Sequence, residues 1–346
     1  MSEKELLIEL CNLSGIWGYE DEVQEYILHK AKPFADEIIK DTLGNIFVFK
    51  RGKQRRPKNV VLIAHMDEVG FCVEEIYDNG CLGLGLIGGI DPAVCIGKRV
   101  LVGMEKRPGL ICCPTELEKP VMKDLYVNFG AESRAEAQAY VGIGEPIFFD
   151  AKAIALDDDY WITNAIDDRA GCAAMLQLIS EELAYDTWFA FSAGEEALMR
   201  GSAVVGKRLH PGYSLILEGA AAMDTVELPD CMHTVSLGGG AALYNMDNGT
   251  ISNISLVHRF ASLCEEKDVP LQFRAMRYGR TDAVNMVGSS ADCCTMGLGM
   301  PARNLHSAYS IVHSNDITAL TDAARVFVNA ATAESEKNRI KFCENC

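Results

Sequence analysis

The chain has no run of apolar residues approaching the about eighteen that a membrane-crossing helix needs. Helical membrane spans are therefore not expected. Its start, Met1-Ser2-Glu3-Lys4-Glu5, lacks the basic stretch and apolar core of a secretory leader and runs into an amphipathic pattern. A cytoplasmic location is the default expectation. Positive charge is also in short supply. Thirty-two Lys and Arg face 49 Asp and Glu, a formal charge of −17, which argues against nucleic acid and anionic membrane as partners. Internal repeats and low-complexity linkers are absent. Thirteen cysteines are not few, but the paired spacings of a short disulfide scaffold are missing. Cys112-Cys113 and Cys293-Cys294 are adjacent and cannot bridge without strain. The single C-x-x-C, Cys343 to Cys346, has no second pair to complete a zinc site. Reduced, mostly buried thiols are expected.

What is present suits a soluble globular chain with a large core: 49% of the residues are hydrophobic and 23% charged. At 346 residues, two domains are favoured over one. Leu6, Leu7, Leu10 and Leu13 predict one helix, and Val23, Tyr26, Ile27 and Ala31 another. Residues 60–64 form a continuous apolar run of strand length, of the type buried on both faces of a sheet. Glycine-punctuated β segments follow from about Cys72 to Ala153, at residues 99–104, 109–113, 124–128 and 146–149. A short helix is predicted among them over residues 133–140, capped by Ser133 with Glu136 completing a capping box.

Strand and helix alternation then resumes. Cys172, Met175, Leu176, Ile179 and Leu183 share one helix face, and residues 187–191 and 213–217 read as buried strands. Ile254, Val257, Ala261 and Cys264 mark a further helix, residues 271–275 a strand, and residues 316–334 a closing helix. This is the pattern of an α/β sandwich. Residues 1–71 and 154–346 form one discontinuous domain, and residues 72–153 a β-rich insertion. Gly83-Leu84-Gly85-Leu86-Ile87-Gly88 satisfies the dinucleotide-binding pattern, which has meaning only between a strand and a helix N-terminus. Here the proline-bearing turn Gly89-Ile90-Asp91-Pro92 follows, so no nucleotide cofactor is expected.

Four segments place His and carboxylate groups just after predicted buried strands or at a helix start. In an open α/β sheet the carboxyl ends of the strands border the ligand crevice. In Ala64-His65-Met66-Asp67-Glu68-Val69-Gly70, His65 and Asp67 point to the same side of an extended chain. A metal-binding His commonly donates its second ring N–H to a carboxylate, and Asp67 is placed to be that partner. A polar strand end is the plainer alternative. Asn164-Ala165-Ile166-Asp167-Asp168-Arg169 opens a helix, where its acids serve equally as caps. Phe191-Ser192-Ala193-Gly194-Glu195-Glu196 ends a strand in paired acids, equally the start of a solvated helix. Leu217-Glu218-Gly219 puts an acid directly after an apolar strand, and Arg303-Asn304-Leu305-His306-Ser307 supplies a second histidine.

Together these segments fit a two-metal site, in which cations offset the cost of clustering acids. One arrangement has Asp167 bridging, His65 and Glu218 on one metal, and Glu196 and His306 on the other. Two divalent cations against three carboxylates leave one positive charge for a bridging hydroxide to neutralise. Glu195 then holds no ligand role and is free to act as the base.

The order and spacing of these motifs resemble those of the glutamyl and deblocking aminopeptidases of the tetrahedral, twelve-subunit type, sometimes labelled cellulases or endoglucanases. The resemblance covers nearly the whole chain. It includes Gly18-Tyr19-Glu20, His65-Met66-Asp67-Glu68-Val69-Gly70, Ile87-Gly88-Gly89 and Leu125-Tyr126-Val127. It continues through Asp167-Asp168-Arg169, Glu195-Glu196, Gly279-Arg280-Thr281-Asp282-Ala283 and His306-Ser307. The resemblance implies a zinc-peptidase α/β domain with an inserted β-barrel-like domain used for dimerisation, dimers that build a dodecamer, and a cis peptide between Asp167 and Asp168. It also implies His65, Asp167, Glu196, Glu218 and His306 as ligands of two divalent metal ions, zinc or cobalt. Glu195 would be the general base, and Asp67 would orient His65.

The chain departs from that pattern in three places. It carries Glu218 where many members have Asp, Asn304 where a tyrosine is usual, and Arg280 where glycine is frequent. His313 is the rival terminal ligand and His233 a weaker candidate for the cleft. Arg280 either favours acidic substrate side chains or is a surface arginine. The expected function is a metal-dependent aminopeptidase hydrolysing N-terminal residues from short peptides through a two-metal-activated water. A metal-dependent deacylase or amidohydrolase on the same site, or a non-catalytic peptide-binding scaffold, is the alternative. A glycosidase can work with two carboxylates but leaves His65 and His306 without a role.

Overall fold

The computed structural model describes residues 1–55, 58–114, 119–225, 234–274, 279–289 and 293–331. Two helices, α1 (Glu3–Cys11) and α2 (Asp21–Ala31), precede the strands β1 (Glu37–Lys40), β2 (Ile46–Lys50) and β3 (Asn59–His65). Six strands then close a barrel: β4 (Gly70–Ile76), β5 (Leu82–Ile87), β6 (Arg99–Val102), β7 (Arg107–Cys112), β8 (Tyr126–Asn128) and β9 (Pro146–Phe149). The short helix α3 (Arg134–Gln138) lies between the last two. After β10 (Ile154–Ala155) and β11 (Tyr160–Thr163) come α4 (Ile166–Ile179), β12 (Thr187–Ser192), α5 (Arg200–Leu209), β13 (Pro211–Ala221) and β14 (Ala241–Tyr244). The chain continues through α6 (Ile254–Glu265), β15 (Leu271–Arg274), α7 (Ala283–Ser289), β16 (Cys294–Ala302), β17 (Ser310–His313) and α8 (Ser314–Val326).

Eight strands form the main sheet, in the order β1-β2-β12-β3-β13-β16-β14-β15, with β12, β3, β13 and β16 parallel. Parallel strands buried on both faces need apolar residues at every position, and β3 shows how they divide. Val60, Leu62 and Ala64 pack with α1, α4, α6 and α8 on one face. Val61 and Ile63 pack with Val205, Leu209, Ala283 and Met286 of α5 and α7 on the other. The expected α/β sandwich is therefore present. The barrel has a separate core built on Phe71, Val73, Leu82, Leu84, Val100, Ile111, Val127, Ile147 and Phe149. Among the described residues no helix is long and apolar enough to cross a membrane.

The structure departs from the sequence pattern in several elements. Ser133 caps α3 by accepting from the Glu136 N–H at 3.3 Å, but the Glu136 carboxylate accepts from Glu132 N–H instead of closing a capping box. The closing helix starts two residues earlier than expected, at Ser314, and continues as a π-helical turn over Phe327–Ala331; the remainder of the expected span lies outside the described residues, as do Ala275 and Cys343 to Cys346. β16 carries no strand-like signal because Gly297 and Gly299 break its apolar run. A Cβ on Gly297 would stand 3.1 Å from the Tyr244 ring, and one on Gly299 2.9 Å from the Ala220 Cβ. The glycines let neighbouring strands and a tyrosine approach where side chains would collide.

Candidate metal centre and active site

Register decides which side chains meet. β3 and β12 pair in parallel with His65 opposite Ser192, so β3 ends at His65 where the Gly194-Glu195-Glu196 turn begins. β13 pairs with β3 through Ile216 opposite Ile63, which puts Glu218 level with His65. The start of α4 supplies Asp167, whose backbone is not yet helical (φ −89°, ψ 107°), and the Asp167–Asp168 peptide is cis. His306 stands in the loop after β16 with a left-handed backbone, φ +55°.

Two histidines present the same nitrogen. His65 is 1% exposed. Its Nδ1 lies 3.0 Å from the main-chain carbonyl of Asp67, and its Nε2 faces Asp167 Oδ1 at 3.3 Å and Glu218 Oε2 at 3.5 Å. His306 Nδ1 lies 2.7 Å from the Gly89 carbonyl, and its Nε2 faces Asp167 Oδ2 at 3.7 Å and Glu196 Oε1 at 3.5 Å. A carbonyl partner can only accept, so each Nδ1 carries a proton, and each Nε2 points at carboxylates, protonated without a cation and a lone-pair donor when one is bound. Three sets of donors lie within 4.8 Å of one another: His65, Asp167 and Glu218; Asp167, Glu196 and His306; and His65, Glu195 and Glu196. Asp167 belongs to the first two.

Asp67 reaches His65 through its backbone. Its carboxylate stands 3.7 Å from Nδ1 and accepts instead from the Glu195 N–H at 3.0 Å and the Glu196 N–H at 3.1 Å. It therefore holds the turn that carries both glutamates. Asp167 Oδ1 also accepts from the Gly219 N–H at 2.8 Å, and a Cβ on Gly219 would stand 2.8 Å from the Asp167 side chain. The Tyr244 hydroxyl donates to the Gly219 carbonyl at 2.7 Å.

Burial drives the electrostatics. It raises the Glu196 carboxyl to about 7 and the Glu218 carboxyl to about 8. It also raises Glu195 well above the carboxylate range, with the Glu218 charge adding to the effect. Burial opposes protonation of His65, yet its contacts with Asp167 and Glu218 outweigh it and hold the imidazolium well above its ordinary value. His306, again against burial, is pushed up to about 10 by Asp167 and Glu196. Asp167 is buried too, but its two histidine neighbours hold its carboxyl well below the usual range. Among the described residues the charged groups within ion-pair distance of Asp167, Glu196 and Glu218 are the two histidines. Imidazole and carboxylate donors gathered in this way fit divalent cations.

Beside this cluster opens a cleft of about 410 Å³, bordered by Glu195, Leu198, Met199, Tyr244, Arg274 and Arg280. Arg280 is exposed at its rim. His313 stands apart from the carboxylates: it caps α8 by accepting from Asn315 N–H at 3.1 Å and packs edge-on against Tyr160. His233 lies outside the described residues. Two supports were not visible as site residues in the sequence. Gly89 approaches from the barrel. Arg169, wholly buried, donates to the Leu10 carbonyl at 3.0 Å and lies 3.5 Å from Glu68. Quoted motifs contained both residues, but nothing local said what either touches.

A His and carboxylate cluster at the carboxyl ends of parallel strands, opening on a cleft, suits hydrolytic chemistry, and the comparisons narrow it to peptide bonds. Residues 44–322 match the family described as M42 glutamyl aminopeptidase, and the chain belongs to that family. FrvX of Escherichia coli (strain K12), provisionally named an aminopeptidase, is 32% identical over 95% of this chain and 96% of its own. A TET aminopeptidase from the marine sediment archaeon Thaumarchaeota archaeon SCGC AB-539-E09 superposes with a TM-score of 0.92 at 25% identity, covering 97% of this chain and 98% of that one. The Pyrococcus horikoshii TET1 peptidase, described as able to assemble into a tetrahedron or a large octahedral shell, gives a TM-score of 0.84 at 28% identity, covering 95% and 100%.

Proposed function

We propose that the chain is a metal-dependent aminopeptidase that releases N-terminal residues from short peptides at a site for two divalent cations, zinc or cobalt. The observation that carries this reading is Asp167, whose two oxygens face the Nε2 atoms of different histidines, His65 at 3.3 Å and His306 at 3.7 Å. His65, Asp167 and Glu218 would hold one cation, and Asp167, Glu196 and His306 the other. Such cations, when bound, polarise a carbonyl and lower the pKa of water.

The protein's own part is positioning and proton transfer. Glu195 borders the cleft and takes a proton from the attacking water, returning it to the leaving amine. Asp67 fixes the backbone of that base through the Glu195 N–H. Glu195→Gln keeps the fold and the cation donors, and should lower kcat by roughly 10²–10⁴-fold on an aminoacyl-anilide. Turnover within threefold of wild type would remove Glu195 from this role. Arg280, exposed at the rim, favours an acidic first side chain in this reading. Arg280→Gly should reduce the preference for glutamyl over leucyl anilide, and an unchanged ratio rejects the assignment.

Residues 1–71 and 154–346 form the catalytic domain in this reading, and residues 72–153 an inserted domain for dimerisation. Exposed apolar side chains on and beside the barrel, among them Leu86, Val94, Ile96, Met104 and Leu110, support a covered face there. The tetrahedron or octahedral shell described for the Pyrococcus horikoshii relative supports a homo-oligomer, which we read as dimers that build a dodecamer. Sedimentation of the purified chain tests it.

A further inference from the structure

Ile87-Gly88-Gly89 ends β5 in the barrel, yet it touches the cluster at the edge of the main sheet. The Gly89 carbonyl meets His306 Nδ1 at 2.7 Å, across 217 residues of chain. Gly88 has a left-handed backbone, φ +81°. A Cβ there would stand 2.6 Å from Val69 Cγ1 and 3.0 Å from Glu196 Oε2. The turn can therefore pass this close only without a side chain at Gly88.

The two histidines are supported differently. His65 is packed on all sides, and its Nδ1 partner is two residues away on the same strand end. The His306 side chain is 39% exposed, so packing restrains it less. Its loop is bent through left-handed residues at Asn304 and His306, with the Ser307 and Ser310 hydroxyls donating to the Asn304 carbonyl at 2.7 and 3.2 Å. Those bonds set the loop but do not reach the ring. The Gly89 carbonyl is what holds Nδ1 as donor and aims Nε2 at Asp167 and Glu196.

We propose that the Gly88-Gly89 turn of the barrel is a positioning element of the candidate metal site, orienting His306 through the Gly89 carbonyl and leaving Glu196 room through the bare Gly88. This rests on the two-cation reading above. The main sheet and α4 build the His65, Asp167 and Glu218 half alone, whereas the His306 half is complete only when the barrel is docked.

The test is titration of metal-stripped protein with cobalt(II), followed by calorimetry and visible absorption, for wild type, Gly88→Ala, His306→Ala and the double variant. Wild type should take up two equivalents. Gly88→Ala should keep the first and bind the second about 10–100-fold more weakly. In the His306→Ala background the part of the Gly88→Ala effect that runs through the Gly89 carbonyl disappears and only the part through Glu196 remains, so the double variant should lose less than the sum of the two single losses. A second equivalent as tight as in wild type, or Gly88→Ala and His306→Ala losses that add in full, overturns the proposal. If Gly88→Ala does not fold, Gly88→Ala combined with Val69→Ala serves in its place, since that removes the 2.6 Å contact with Val69 and keeps the one with Glu196. A wild type that takes up no cobalt instead removes the two-cation reading and this inference together.

Discussion

Replacing Arg169 by methionine should destabilise the fold by about 3–5 kcal/mol, the cost of leaving one partner of a buried ion pair uncompensated. Arg169 and Glu68 are almost fully enclosed and 3.5 Å apart. The Leu10 and Gly15 carbonyls that Arg169 meets also accept backbone bonds, from Leu13 N–H and Glu68 N–H, so they stay satisfied in the variant, and the Leu13 carbonyl gives up only a long contact of 3.4 Å. The loss therefore falls on Glu68, which keeps the Gly15 N–H at 2.8 Å and the Asn164 amide at 2.7 Å but no positive charge.

Burial already raises the Glu68 carboxyl, and Arg169 is the strongest influence holding it down. A raised folded pKa means that the folded state binds the proton more tightly than the unfolded chain, so its stability falls as pH rises through the folded value. Removing Arg169 raises that value further. The destabilisation should then be largest near pH 8 and shrink towards pH 5. Urea unfolding of metal-stripped protein at one fixed concentration, read by tryptophan fluorescence, measures it. Adding Glu68→Gln to Arg169→Met should restore most of the loss, because no charge is then buried. A single variant that loses under about 1 kcal/mol, or a double variant no more stable than the single, would falsify this account of the network.

Two further outcomes follow from the site. Burial holds Glu196 at about 7 and Glu218 at about 8, and His65 and His306 are raised as well, so metal-free protein should lose stability as pH rises from about 4.5 through 8. Thermal melts at pH 5.5 and 8.5 check this; cobalt should restore the melting temperature at the higher pH, and equal melts without metal at both would refute it. Asp67→Asn replaces one of the two acceptors that grip the Glu195 and Glu196 N–H groups and should lower kcat about 10–100-fold with the fold retained; steady-state kinetics beside a circular dichroism spectrum decide it.

Much of the main sheet was legible because parallel strands advertise themselves. A strand buried on both faces must be apolar throughout, so 60–64, 187–191 and 213–217 stood out, and the acids after them marked the crevice end of the sheet. β14, β16 and the β1–β2 pair were not legible. β16 hides behind glycines that a tyrosine requires, and β1 is a short edge strand with half-exposed residues. Asp67 was expected to grip His65 with its carboxylate, a sound inference from their shared side of an extended chain. The turn after β12 comes closer, and the two N–H groups of Glu195 and Glu196 are the better donors for that carboxylate.

The amino-acid order by itself determined the alternating architecture, the β-rich interruption and a pool of histidines and acids at strand ends, because each of these is written in local periodicity and composition. Only the tertiary structure decided which members of that pool meet. His65 and Asp167 are 102 residues apart along the chain, and His306 and Gly89 217. Strand order and register bring the first pair together, and the docking of the barrel onto the sheet brings the second. His313, seven residues beyond His306 and chemically its equal, was turned aside to cap a helix for the same reason: ligand geometry depends on where the backbone crosses in space, and no local pattern carries that information.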